Sequence, residues 1–107
     1  VELFANHPAT GSIIVAGPHD EQALAQFKAK YADKLGLLGA KVVRGGAEHR
    51  WQTIASALAH VAESTTHVAV HDGARPCASP GLIDRLLDVA QRHPAVVPGV
   101  SMADTLK

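Results

Sequence analysis

Short apolar runs and helical stripes alternate along this chain, and no other feature narrows its fold as much. Ser12–Ala16 (SIIVA), Lys41–Arg44 (KVVR), Thr66–His71 (THVAVH) and Ala95–Val100 (AVVPGV) are short runs that read as strands. Pro98 breaks the last of them near its end. Between the runs, Leu24, Phe27, Tyr31 and Leu35 recur at helical spacing. Ile54, Ala57, Leu58 and Val61 share the face of a second helix, and Leu82, Ile83, Leu86, Leu87 and Ala90 form the stripe of a third. The punctuation agrees. Asp20 can N-cap the first helix, Gly36 and Gly39 end it, and Ser79-Pro80 is an N-cap followed by proline at the first helical position. Strand, helix, strand, helix, strand, helix, strand predicts βαβ units on a mostly parallel sheet with flanking helices, an α/β fold.

Composition limits what such a sheet can be built from and what it can meet. Hydrophobic residues make up 47% of the 107 and aromatics only 4%, so Val, Leu, Ile and Ala must fill a small core. Ten basic residues offset ten acidic ones. There is no net field to hold nucleic acid or an anionic membrane non-specifically, and neither is expected as a partner. The apolar runs are too short to span a bilayer. The one cysteine, Cys77, cannot form an internal disulfide and reads as a small buried residue, which fits a reducing cytoplasm. Val1–Ala5 reads as the tail of a helix stopped by Asn6-His7-Pro8, and Val1 is not a start methionine. The chain is therefore expected to be a piece of something longer.

In open α/β sheets of the Rossmann-like kind, ligands bind beyond the carboxyl ends of the strands. Three turns of polar residues and glycine fall there: Gly17-Pro18-His19-Asp20, Arg44-Gly45-Gly46 and Asp72-Gly73-Ala74-Arg75. Asp104-Thr105 follows the last strand as a fourth. At the Asp72 turn, Gly73 and Ala74 let a ligand approach the backbone. Asp72 can bind a metal ion or accept from a hydroxyl, and Arg75 can fork onto a phosphate or carboxylate. Simple pairing of Asp72 with Arg75 in a strand-end turn fits the spacing equally well. Gly45-Gly46 gives the same backbone access, with Arg50 and Thr53 one helical turn apart near the start of the next helix. Spacing alone favours the plainer reading there, a flexible turn and a solvated arginine. Neither a Walker A loop nor a G-x-G-x-x-G fingerprint is present.

Seven histidines raise the question of a metal centre. His67 and His71 share a strand face, but four residues at about 3.3 Å each put them roughly 13 Å apart, too far for one ion. His7 and His93 each precede a proline and read as turn residues, and Trp51 reads as helix packing.

Taken together, "VVRGG", "RWQT" entering a helix, "VAVHDGARPC" and "MADTLK" resemble the middle of a 2-C-methyl-D-erythritol 4-phosphate cytidylyltransferase. The His-Asp-small-Ala-Arg-Pro block is the most specific of the four. The resemblance runs the length of the chain and covers about half of such an enzyme. It implies that Gly45 and Gly46 sit against a cytosine base with the Thr53 hydroxyl reaching it, and that Arg50 is the arginine of that turn. Asp72 and Gly73 would lie beside the ribose and the methylerythritol phosphate, with Asp72 near a magnesium ion as the catalytic carboxylate. Arg75 and Thr105 would hold the methylerythritol phosphate, and Lys107 ends the Asp-Thr-x-Lys block. Two departures stand out. Gly46 and Arg50 are one residue further apart than in the family's usual turn, and Gly73-Ala74 replaces Ala-Ala.

The same resemblance places a glycine-rich triphosphate loop before Val1, and a C-terminal segment with a dimerising arm after Lys107. The expected parent is a homodimer that transfers CMP from CTP to 2-C-methyl-D-erythritol 4-phosphate and releases pyrophosphate, with residues 1–107 inactive by themselves. A pentitol-phosphate cytidylyltransferase such as the ribitol enzyme is the nearest rival. It shares the His-Asp and Asp-Thr blocks, and Ala74 and Lys107 tilt against it. A non-catalytic flavodoxin-like binding domain is the rival from another class.

Overall fold

The computed structural model describes residues 1–103. Six elements follow one another: α1 (Glu2–Ala5), β1 (Ile13–Gly17), α2 (Glu21–Leu37), β2 (Ala40–Arg44), α3 (Arg50–Leu58) and α4 (Pro80–Ala90). They fall into two compact units, Val1–Asp72 and a second that begins at Gly73.

The first unit is built on one βαβ crossover. β1 and β2 pair in parallel, from Ile13 opposite Ala40 to Gly17 opposite Arg44. A parallel pair needs a long connection, and α2 supplies it. The Asp20 carboxylate starts that helix by accepting from the Ala23 N–H at 2.8 Å. The helix runs on through Gly36 and is stopped by Gly39, whose φ of 73° lies in the left-handed region. Gly36 thus falls in the last turn of the helix, and Gly39 is the left-handed stop. α2 packs on β2, and α3 packs on both strands. At the end of β1, Gly17 lies against side chains of α2. A methyl group there would lie 3.0 Å from Leu24 Cδ1 and 3.5 Å from Phe27 Cδ1, so the bare backbone lets the helix come down onto the strand end. Ala40 and Val43 are the buried residues of the sheet.

In the second unit, Ser79 Oγ accepts from the Leu82 N–H at 3.2 Å, and Pro80 stands at the first turn of α4 as the dipeptide predicts. Ile83 is buried.

Two expectations do not survive. Thr66–His71 and Ala95–Val100 form no strand among the described residues. Most of their valines are open to solvent, Val68 at 51% and Val97 at 87% exposure. Alternation tells which side chains share a face; a strand also needs a neighbour to complete its ladder, and sequence periodicity carries no information about that. The fold class holds, as a parallel pair with flanking helices. Trp51 and Cys77, read as packing and buried residues, are both exposed. No helix among the described residues is long and apolar enough to cross a membrane.

Candidate functional site

The chain leaves β2 at Arg44, and the next two residues are glycines because nothing larger fits. Gly45 is buried, and a side chain there would run into the carbonyl oxygen of Gly17. A methyl group on Gly46 would overlap the Gln52 Cβ and lie 2.6 Å from the Thr53 backbone nitrogen. The turn is therefore pressed between the end of β1 and the first turn of α3. It is close-packed, not the flexible turn that spacing favoured.

Three side chains fix the peptides of this turn in succession. Ser56 Oγ donates to the Arg44 carbonyl at 2.6 Å. His19 Nδ1 lies 3.1 Å from the Gly45 carbonyl oxygen. The Gly46 N–H donates to Thr53 Oγ1 at 2.9 Å. A hydroxyl offers two acceptor positions and one donor, so Thr53 still has its own hydrogen to give to a ligand. Removing the hydroxyl strips the Gly46 N–H of this partner. Thr53→Val is expected to lower unfolding stability by about 1–3 kcal/mol, and Thr53→Ser by clearly less. Chemical denaturation of the three proteins compares them.

Arg50 opens α3 and, although mostly in water, is paired. Its Nη2 donates to Asp72 Oδ1 at 2.7 Å and its Nε to the same oxygen at 3.2 Å. The pair leaves 63% of the Arg50 side chain and 39% of the Asp72 side chain exposed. An ion pair in that much water contributes only about 0–1 kcal/mol. What it does is orient the carboxylate. The start of α3 is itself held by Gln52, whose Oε1 accepts from the Glu48 N–H at 2.9 Å and the His49 N–H at 3.1 Å. Thr53 keeps its contact with Gly46 and Arg50 reaches Asp72.

Of the residues singled out from sequence, Gly45, Gly46 and Thr53 thus form one turn, and Arg50 and Asp72 form one pair. Gly73 and Arg75 belong to the unit that begins at Gly73, both exposed, ahead of the Ser79 cap. Thr105 and Lys107 lie outside the described residues. Sequence reasoning gave no role to His19 or Ser56. Ser56 had a signal, because it stands one helical turn after Thr53 on the same face. His19 had only its place in a turn after β1. No group of three or more His, Cys, Asp or Glu among the described residues could hold a metal by itself. A single carboxylate fixed by an arginine of α3, whose Thr53 also offers a hydroxyl, suits positioning a polar ligand that brings further oxygens of its own.

Comparison with known proteins bears on which ligand that is. The family model for IspD, 2-C-methyl-D-erythritol 4-phosphate cytidylyltransferase, matches residues 1–107. A bifunctional enzyme IspD/IspF of Desulfotalea psychrophila is 39% identical over 107 residues, which cover 100% of this chain and 27% of that protein. A 2-C-methyl-D-erythritol 4-phosphate cytidylyltransferase of Clostridium beijerinckii is 35% identical over 107 residues, 100% of this chain and 46% of the relative. One from Pelotomaculum thermopropionicum is 32% identical over 105 residues, 98% of this chain and 43% of the relative. The chain spans from 27% to 46% of the length of these relatives. No solved structure matches it.

Proposed function

The chain belongs to the 2-C-methyl-D-erythritol 4-phosphate cytidylyltransferase family, and on that premise we propose that the protein containing it transfers CMP from CTP to 2-C-methyl-D-erythritol 4-phosphate. An oxygen of the 4-phosphate attacks the α-phosphorus of CTP in line, and pyrophosphate leaves. This chemistry asks the protein for position and charge stabilisation more than for covalent help. The observation that carries the reading is the locked Gly45-Gly46 turn. Its Thr53 hydroxyl has a hydrogen to give to a ring nitrogen or oxygen of a cytosine, and α3, which bears Thr53, also bears the arginine that orients Asp72.

In this reading Gly45, Gly46 and Thr53 hold the base. Asp72 and Gly73 face the ribose and the acceptor, and Arg75 and Thr105 hold the acceptor's phosphate. Magnesium fits Asp72. It takes hard oxygen ligands and is commonly held by one or two carboxylates together with substrate phosphates, so a dedicated protein cage is not needed. When bound it would neutralise charge on the phosphates. Asp72 would supply a protein oxygen, and Arg50 would keep that carboxylate turned to one side. A homodimer in the cytoplasm completes the proposal. The family resemblance supplies the dimerising arm, and an exposed lone Cys77 suits a reducing compartment.

The test is the full-length protein with CTP, magnesium and methylerythritol phosphate, followed for pyrophosphate release, with ribitol phosphate offered in parallel. Release with ribitol phosphate alone would sink the assigned acceptor. Arg75→Lys probes the acceptor side further, since lysine cannot reproduce the planar fork on a phosphate. The expected signature is a raised KM for the polyol phosphate with the KM for CTP little changed. A rise in the CTP KM instead would move Arg75 to the nucleotide.

A further inference from the structure

We infer that His19 is a positioning residue for the nucleotide-binding turn, acting through the peptide of Gly45. The inference rests on the nucleotide reading above. His19 stands in the loop after β1 and is 26 residues before the glycine it touches. Its Nδ1 lies 3.1 Å from the Gly45 carbonyl oxygen. A carbonyl only accepts, so Nδ1 must carry the proton. The contact is reciprocated, because the Arg44 Nε donates back to the His19 carbonyl oxygen. The two strand-end loops are thereby fastened by a ring from β1's side and a guanidinium from β2's side.

The fastening has a reason to matter for a ligand and not only for the fold. The β1–β2 ladder already aligns the strands as far as Gly17 and Arg44. Beyond that register, Gly45 is close-packed but carries no side chain, so the direction of its carbonyl depends on the hydrogen bonds made to its peptide. On the α3 side, Ser56 and Thr53 hold the peptide groups before and after it. His19 holds the Gly45 carbonyl from the opposite side of the turn. Rotation of the Gly45 carbonyl would carry the Gly46 N–H off Thr53 Oγ1 and leave the hydroxyl free to reorient. The base would then meet a hydroxyl of variable direction. His19 touches no part of the Arg50–Asp72 pair, so the acceptor side should not feel its loss.

The test uses the full-length protein with His19→Ala and His19→Asn. Asparagine places an amide N–H near the position of Nδ1. His19→Ala is expected to raise the KM for CTP about tenfold, the range of one lost hydrogen bond, with kcat and the KM for the polyol phosphate within about twofold of wild type. His19→Asn should recover most of the loss. Amide exchange at residues 45–47 should quicken in His19→Ala and return in His19→Asn. An unchanged CTP KM in His19→Ala, or an equal rise for both substrates, overturns the inference. So does failure of asparagine to rescue. A wild-type protein that binds no CTP overturns instead the nucleotide reading on which the inference stands.

Discussion

Asp72→Asn in the full-length enzyme is expected to lower kcat by about 100-fold or more while leaving the melting temperature nearly unchanged. The two halves of that expectation come from different observations. The Arg50–Asp72 pair is solvent-exposed on both sides, so neutralising it removes only about 0–1 kcal/mol of stability. The carboxylate is nevertheless held by two donors of one guanidinium at 2.7 and 3.2 Å, which turns it in a fixed direction at the very end of the first unit. Asparagine keeps the shape and can still accept from Arg50, but it carries no charge to offer magnesium or a developing charge on the phosphates. Turnover and thermal unfolding measured on the same preparation separate the outcomes. Near-normal turnover with a lowered melting temperature would make Asp72 a structural residue of the turn.

Gly46→Ala is expected to damage stability and nucleotide binding together. The new methyl group would overlap Gln52 Cβ and crowd the Thr53 backbone nitrogen at 2.6 Å, and backbone cannot swing aside as a side-chain tip can. Either the turn or the start of α3 must move, at a cost of about 1–3 kcal/mol. Thr53 and Arg50 both ride on that first turn of α3, so the displacement should raise the KM for CTP as well. Gly36→Ala is the control. Gly36 lies in the last turn of α2 with nothing within 4 Å of the added methyl group, so helix propensity should stabilise the protein slightly, by less than about 1 kcal/mol. Denaturation midpoints moving in opposite directions for the two variants are the predicted result. A neutral Gly46→Ala would mean that the close packing of turn and helix does not hold in solution.

The contrast between those glycines shows what local pattern can convey. Both read from sequence as breakers. Gly36 proved to be a helical residue of the last turn of α2, and Gly39, with its positive φ, is the stop. Gly46 read as part of a flexible turn, and it is instead the place where a helix rests on the backbone. A glycine's reason is written in its neighbours' coordinates, and the neighbours of Gly46 come six and seven residues later.

What the sequence by itself determined was everything that depends on nearby residues. Asp20 and Ser79 cap the helices they precede, Pro80 opens α4, and the order of apolar runs gives a parallel βαβ unit, because each of these effects acts within one or two turns of chain. The motif blocks likewise placed Gly45, Gly46, Arg50, Thr53 and Asp72 as candidates. Tertiary structure decided which of them meet. Arg50 reaches 22 residues along the chain to Asp72, and His19 reaches 26 to Gly45. No periodicity or propensity encodes a hydrogen bond of that separation, since it exists only once the chain has folded back on itself. The same reason removed Thr66–His71 and Ala95–Val100 from the strands: alternation fixes a segment's two faces, and only a hydrogen-bonded neighbour makes it part of a sheet.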